Sequence, residues 1–277
     1  MSWKETQENG GLAVITGGAS GVGLAAAHLL ADRGFDLMLA DLGEEQLSAA
    51  ASALRSRGAR VHTSVVDVSD TGAMENLARQ AFETGPVAVL MNNAGMARPT
   101  TTLDSADQWR RIIDVNFYGV LNGVQAFVPR MIDADRPAVV INTGSKQGIT
   151  TPPGNPAYNV SKAAVRVLTE QLAHELREAG APLQTHLFVP GFTYTGMIAA
   201  FMPEKPAAAW TSEECVGYLF ERVSAGDFYI LCPDNDVSRE TDAKRVLWSA
   251  GDIAENRPPL SRWHPDWKEA FSAWEKG

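Results

Sequence analysis

Residues 12–23 read LAVITGGASGVG. Five apolar or β-branched residues run without a charge into a glycine-spaced turn. Beyond it, LAAAHLLADRG (24–34) carries helical periodicity and stops at Gly34, a residue suited to the C′ position. The stretch reads as a strand, a tight turn and a helix. Gly17, Gly21 and Gly23 let the backbone turn sharply, approach a pyrophosphate and pack the helix on the strand. The helix start, with Ser20 and Val22, offers unpaired N–H groups and a positive dipole end to phosphate. A glycine-rich turn without a ligand is the competing reading, and residues further along separate the two.

The same alternation continues outward. LAVIT (12–16), DLMLAD (36–41), RVHTSVVD (60–67), VAVLMN (87–92), AVVINT (138–143), LQTHLFV (183–189) and DFYIL (227–231) read as strands, mostly buried on both faces. Between them, 21–33, 43–57, 70–84, 104–131 and 156–179 read as helices. Strand–helix alternation predicts an α/β fold. It is a doubly wound, Rossmann-like parallel sheet of about seven strands with helices on both faces. No linker or repeat interrupts it, so residues 1–277 read as one catalytic domain. Its core covers about 12–231, with a variable loop at about 196–210 and a tail at about 233–277.

Composition narrows the function. The chain has 277 residues, 45% hydrophobic and 21% charged, with a formal net charge of −9. An acidic chain without a basic block argues against nucleic acid and anionic membrane surfaces. No apolar run is long enough to span a bilayer, and the polar start MSWKETQENGG lacks the apolar stretch of a signal peptide. Two cysteines, Cys215 and Cys232, fit free thiols in a reducing cytoplasm. Five scattered histidines match no metal motif, so no bound metal is expected.

Asp41 ends the second strand. A carboxylate there accepts hydrogen bonds from the adenosine ribose hydroxyls and repels a 2′-phosphate. No Arg or Lys stands at 18–20 or 42–43 to neutralise such a phosphate, so NAD is expected over NADP. An acid in this place, behind a glycine turn after the first strand, favours a dinucleotide over an empty turn. Asp67 and Val68 stand at the end of the third strand, where they can touch the adenine. Further on, GNPAYNVSK (154–162) sets Tyr158 and Lys162 one helical turn apart on one face. Such a pair is common on ordinary helices, with the phenol at the core edge and the ammonium in water.

The spacing T16-G17-x-x-x-G21-x-G23 resembles the glycine motif of the short-chain dehydrogenase/reductase family, and later motifs agree in order. N92-N93-A94-G95 is similar to the family's NNAG. Asn116 in DVNFYGV matches its mid-helix Asn, and Ser145 lies in INTGSKQG. Y158-N-V-S-K162 is similar to its YxxxK, and P190-G191-F-T193-Y-T195 to its PGxVxT, with Thr193 in the Val position. The resemblance spans about residues 12–231. It implies an NAD-dependent oxidoreductase that moves a hydride between the nicotinamide and a secondary alcohol or ketone. By resemblance, Tyr158 is the acid/base and Lys162 also holds the nicotinamide ribose. Ser145 binds the substrate oxygen, and Asn116 holds a water that relays protons. Asn93, Ala94 and Gly95 line the cofactor groove, with Asn92 open to a structural role, and Pro190, Thr193 and Thr195 anchor the carboxamide. Members are commonly oligomers, so a homodimer or homotetramer is expected.

The chemistry needs such a set. A free tyrosine titrates near pH 10 and is a poor base at neutral pH. An ammonium about 4 Å away at an effective dielectric near 20 favours phenolate by up to roughly 4 kcal/mol. On that ground Tyr158 is expected as base in oxidation and acid in reduction.

On the substrate side, Met197, Ile198, Phe201, Met202 and Trp210 form an apolar cover or else a core-packed helix. As a cover they favour a hydrophobic or aromatic alcohol or ketone. Gln147, with Lys146, is a candidate to orient a polar or anionic substituent, or else faces solvent. In the tail, Trp267, Phe271 and Trp274 repeat on one helical face after Pro265, with same-chain packing, a subunit contact and a pocket contribution all open. Three other functions compete. A methyltransferase has no use for a Tyr/Lys relay, and a non-catalytic NAD-binding protein would not need all four of Asn116, Ser145, Tyr158 and Lys162. An epimerase or dehydratase using transient oxidation stays open.

Overall fold

The computed structural model describes residues 3–199 and 202–276. A short helix, α1 (Trp3–Asn9), precedes β1 (Leu12–Thr16) and α2 (Gly21–Asp32). Then follow β2 (Asp36–Asp41), α3 (Glu44–Ser56), β3 (Val61–Val65), α4 (Thr71–Thr84) and β4 (Val87–Asn92). Next come α5 (Ala106–Ile113), one π-helical turn at Asp114–Tyr118, α6 (Gly119–Asp133), β5 (Ala138–Thr143), α7 (Gln147–Thr150) and α8 (Pro156–Glu178). β6 (Leu183–Val189), α9 (Gly196–Ala199), α10 (Ser212–Ser224) and β7 (Tyr229–Leu231) complete the alternation. Last are α11 (Arg239–Ala254), two short 3₁₀ turns at Ser261–Trp263 and Pro265–Trp267, and α12 (Lys268–Lys276).

The seven strands form one parallel sheet in the order β3-β2-β1-β4-β5-β6-β7. The expected fold class is therefore the one observed. Chain direction across the sheet reverses between β1 and β4, which opens a crevice at their carboxyl ends. Successive side chains of a strand point to opposite faces, and β1 shows the result. Ala13 and Ile15 join a core with Leu30, Leu47 and Phe220, while Leu12 and Val14 join Met74, Phe127 and Leu176 on the other face.

Four departures from the expected elements have physical reasons. β3 is not buried on both faces, because it is the sheet edge, and His62, Thr63 and Val65 are exposed. The helix expected over 104–131 is three pieces, since Asn116 bonds outside the helix and a π turn absorbs one residue. Helix α1 arises from a polar stretch that buries only Trp3 and Thr6, with Trp3 against Phe35 and Phe220 at 5.8 and 5.2 Å. In the tail, α11 buries little besides Trp248, so its apolar signal is weak. Trp267, Phe271 and Trp274 surround that ring at 6.2, 5.3 and 6.0 Å, so the aromatic face packs on the same chain.

Candidate active site

The phosphate-type turn is held from below. Thr16, at the end of β1, accepts through its hydroxyl from the backbone N–H groups of Asn93 and Ala94 at 3.0 and 3.1 Å. The Asn93 amide donates to the carbonyls of Thr16 and Gly17 at 3.2 and 3.3 Å. Gly17 and Gly21 take φ of +64° and +51°, a region that favours glycine. Gly23 is different: it does not line the cavity described below. A Cβ there would lie 2.1 Å from the Gly17 carbonyl, so it serves turn-to-helix packing. Ser20 makes no side-chain cap, which leaves the α2 N-terminus open toward the crevice.

Asp41 is drawn to this turn. Its Oδ2 accepts from Ala19 N–H at 3.1 Å and its Oδ1 from Leu42 N–H at 2.8 Å. Each oxygen keeps acceptor capacity. Asn92 turns away from the crevice, donating to Asn142 Oδ1 at 2.9 Å, while Asn142 donates to Thr169 at 3.1 Å. This buried ladder ties β4 and β5 to α8, so Asn92 takes the structural role.

The Gly154-Asn155-Pro156 turn does not line the cavity and starts α8. Thr100 donates to Asn155 Oδ1 at 3.0 Å and accepts from Ala157 N–H at 3.3 Å. That start aims Tyr158 and Lys162 into the crevice. The Tyr158 phenol is hydrogen-bonded with Ser145, whose Oγ also accepts from Gln147 N–H at 3.2 Å. The buried Lys162 donates to the Thr143 carbonyl at 2.8 Å, and its Nζ stands 5.9 Å from the Tyr158 ring centroid.

The chain's own burial works against the expected activation of Tyr158. Burial raises the phenol above its ordinary value, and the Ser145 hydrogen bond only partly offsets it. Burial also lowers Lys162 to about 8. Desolvation is the largest influence on both groups, and the ammonium is itself costly to keep charged in this interior.

Asn116 is fully buried in the π turn. Its Oδ1 accepts from Met96 N–H at 2.8 Å, and its Nδ2 donates to the Met96 carbonyl at 2.9 Å and to Ser161 at 3.1 Å. Its first duty is to fasten the loop after β4. Gly95 sits between it and Lys162, where a Cβ would be 3.3 Å from Asn116 Oδ1 and 3.7 Å from Lys162 Nζ.

One cavity of about 600 Å³ joins these parts except Asn116, which is buried behind Gly95 and Met96 and does not line it. Gly17, Ser20, Gly21, Val22, Asp41, Asp67, Val68, Asn93, Ala94 and Gly95 line it. So do Ser145, Gln147, Tyr158, Lys162, Pro190, Thr193 and Thr195. Among the apolar cover residues, Ile198 lines it. Trp210 instead packs on Tyr218 and pairs with Thr193, while Met202 is exposed. Phe201 and the Met197 side chain lie outside what the structure describes.

The cavity also has walls that the sequence did not point to. Phe192, Asp234, Val237 and Arg245 line it, the last three from the tail. Lys146 lines the cavity too, but it is paired with Asp242 and Asp234 at 2.7 and 3.4 Å, so its charge is already matched there. Only the apolar or charged character of these tail residues was visible beforehand, without a pattern linking them to Ser145.

The donor set fits a dinucleotide. Cβ-free Gly17, Gly21 and Gly95 allow close backbone approach, the α2 N-terminus is open, and one cavity runs from Asp41 to Lys162. Among the described residues no group of three or more metal-ligating side chains occurs, and no helix is long and apolar enough to cross a membrane.

Comparison with known proteins agrees. The short chain dehydrogenase family model matches residues 11–206. A 1-deoxy-11-beta-hydroxypentalenate dehydrogenase of Streptomyces exfoliatus is 30% identical over 258 residues, covering 91% of this chain and 93% of that one. A galactitol 2-dehydrogenase of Rhizobium johnstonii is 37% identical over 198 residues, covering 69% and 75%. Among solved structures, a short chain dehydrogenase/reductase from Burkholderia phymatum in complex with NAD superposes with a TM-score of 0.83. It is 32% identical, covering 90% of this chain and 96% of that one.

Proposed function

The chain belongs to the short chain dehydrogenase family, and from that premise we propose how its residues carry out the family's chemistry here. It is an NAD-type oxidoreductase of alcohols and ketones. When bound, NAD supplies the hydride acceptor and, in its oxidised form, a positively charged nicotinamide ring. Gly17 and Ser20 to Val22 hold the phosphates, Asp41 the adenosine ribose, and Asp67 and Val68 border the adenine. Lys162 and Tyr158 hold the nicotinamide ribose, and Pro190, Thr193 and Thr195 the carboxamide.

Ser145 donates to the substrate oxygen and fixes it beside Tyr158. In oxidation Tyr158 takes the hydroxyl proton, and in reduction it returns one. Asn116 and Lys162 both lie beside Gly95, and in this reading a water held by them carries the proton on. A phenol is protonated at neutral pH and burial pushes it further up, so alcohol oxidation rises toward alkaline pH and ketone reduction falls. The observation that carries this reading is that Ser145, Tyr158 and Lys162 share one cavity with Asp41 and the glycine turn.

Phe192, Ile198, Val237 and Met96 give the cavity apolar walls, which favour a hydrophobic or aromatic secondary alcohol or ketone. The core and tail act as one catalytic unit in this reading, since tail residues close the cavity. Half-exposed Tyr118 at the end of the π turn and Val160 and Val167 on α8 suit burial in a homodimer or homotetramer. The two buried free cysteines suit a reducing cytoplasm.

The test is to follow NADH formation with NAD and then NADP across aliphatic, aromatic and polyol alcohols. Turnover with NAD and an apolar secondary alcohol supports the reading. Absence of NADH formation with every alcohol, and of NADH consumption with the matching ketones, overturns it.

A further inference from the structure

The tail contributes Asp234, Val237 and Arg245 to the cavity and meets it beside Ser145 through Lys146. Lys146 follows Ser145 directly and is committed to two buried carboxylates, Asp242 at 2.7 Å and Asp234 at 3.4 Å. Asp234 is further occupied, accepting from the N–H groups of Phe192, Asp236 and Val237 at 3.2, 3.2 and 2.8 Å. Asp242 stands three residues before Arg245 on α11, so the two share a helix face. Contact of Asp242 with Lys146 thus brings Arg245 to the Ser145 end, where its side chain lines the cavity.

Arg245 is held but not used up. Its Nε donates to Glu275 Oε1 at 2.7 Å, and a guanidinium carries five donors in a planar fork. Glu275 takes one of them. No other described side chain or carbonyl takes the Nη donors, and the group is about a fifth exposed, with 21% of its side-chain surface accessible. α12 holds the partner in place, since Trp274 donates to the Lys244 carbonyl at 3.2 Å and Lys244 to the Glu275 carbonyl at 3.1 Å. An oriented guanidinium with open Nη groups suits bidentate capture of a carboxylate.

Resting on the oxidoreductase reading above, we propose that Arg245 is a specificity-determining residue that binds a carboxylate on the substrate, remote from the carbon that is oxidised. The substrate class is then an amphipathic hydroxy or keto acid: an apolar body against Phe192, Ile198 and Val237, with its acid on Arg245. The aromatic tail helix has a function in this scheme, which is to orient Arg245 through Glu275.

The experiment uses the full chain with saturating NAD. A series of straight-chain hydroxyalkanoates of increasing length, with the hydroxyl on the penultimate carbon, is compared with the matching methyl esters. At the length that spans Ser145 to Arg245, the acid is expected to exceed its ester in kcat/KM by about tenfold to a hundredfold. Arg245→Leu should remove that preference mainly through KM, and Arg245→Lys should restore part of it. Retained NADH binding, read by fluorescence titration, shows that the variants are folded. No preference for the acid at any length overturns the inference, as does an Arg245→Leu variant that loses acid and ester in equal proportion. Those results leave the oxidoreductase reading standing. Failure of every acid and every ester to yield NADH overturns both.

Discussion

Lys162 donates to the Thr143 carbonyl at 2.8 Å, joining the middle of α8 to the end of β5 beneath the cavity. That bond holds a buried ammonium whose pKa has fallen from 10.5 to about 8. A drop of this size is about 3 kcal/mol of burial cost while the group is charged. Between pH 8 and 10.5 the unfolded chain binds more protons than the folded one, so stability contributed at this site rises with pH. Below pH 8 both states are protonated and the full cost applies.

Lys162→Met should therefore lose turnover and yet gain thermal stability at pH 7 in the absence of ligand. The stability gap between variant and wild type should shrink by pH 9.5. Paired melting curves at the two pH values check this, and a gap independent of pH contradicts the buried-charge assignment.

Asp41 bonds the Ala19 and Leu42 N–H groups at the ribose end of the cavity. Asp41→Ser should raise kcat/KM with NADP and lower it with NAD, shifting the ratio by more than about tenfold, the scale of one charge-assisted hydrogen bond. Steady-state kinetics with both cofactors measure it.

Asn116 satisfies both backbone groups of Met96. Asn116→Ala should leave that N–H and C=O unpaired and destabilise the chain by about 2–4 kcal/mol. Denaturant titration gives the figure, and kcat should fall with it because Gly95 and Met96 border the cavity.

Gly23→Ala tests the packing role assigned to the third glycine of the turn. Its Cβ would meet the Gly17 carbonyl at 2.1 Å and the Asn93 amide at 2.7 Å. A cost of about 3 kcal/mol or more is expected, with NADH binding lost in the fraction that folds. A variant of wild-type stability contradicts the role.

Much of this was legible in LAVITGGASGVG and its successors. The central strands are continuous apolar runs because helices cover both sheet faces; five of the seven keep their expected bounds, and the edge strands β3 and β7 are shorter. The glycine turn, Asp41, Ser145, Tyr158 and Lys162 are local patterns, and the cavity gathers them. What stayed hidden depends on contacts between distant segments. The π turn exists because Asn116 bonds Met96, and Lys146 is neutralised by acids of the tail. Arg245 lies on a helix with one well-buried aromatic, so periodicity did not mark it. The Tyr–Lys spacing is legible in the sequence, but spacing says nothing of desolvation, and burial by itself pushes the phenol up.

In the proposed mechanism the Tyr158 hydroxyl is the proton-transferring group of an NAD-linked oxidoreductase. The most direct measurement is NADH formation by wild type and Tyr158→Phe with one alcohol substrate, alongside NADH binding to each. The predicted result is loss of turnover by about a hundredfold to ten-thousandfold, the usual contribution of a positioned acid or base, with NADH affinity largely kept. Turnover by Tyr158→Phe at the wild-type rate would contradict the claim.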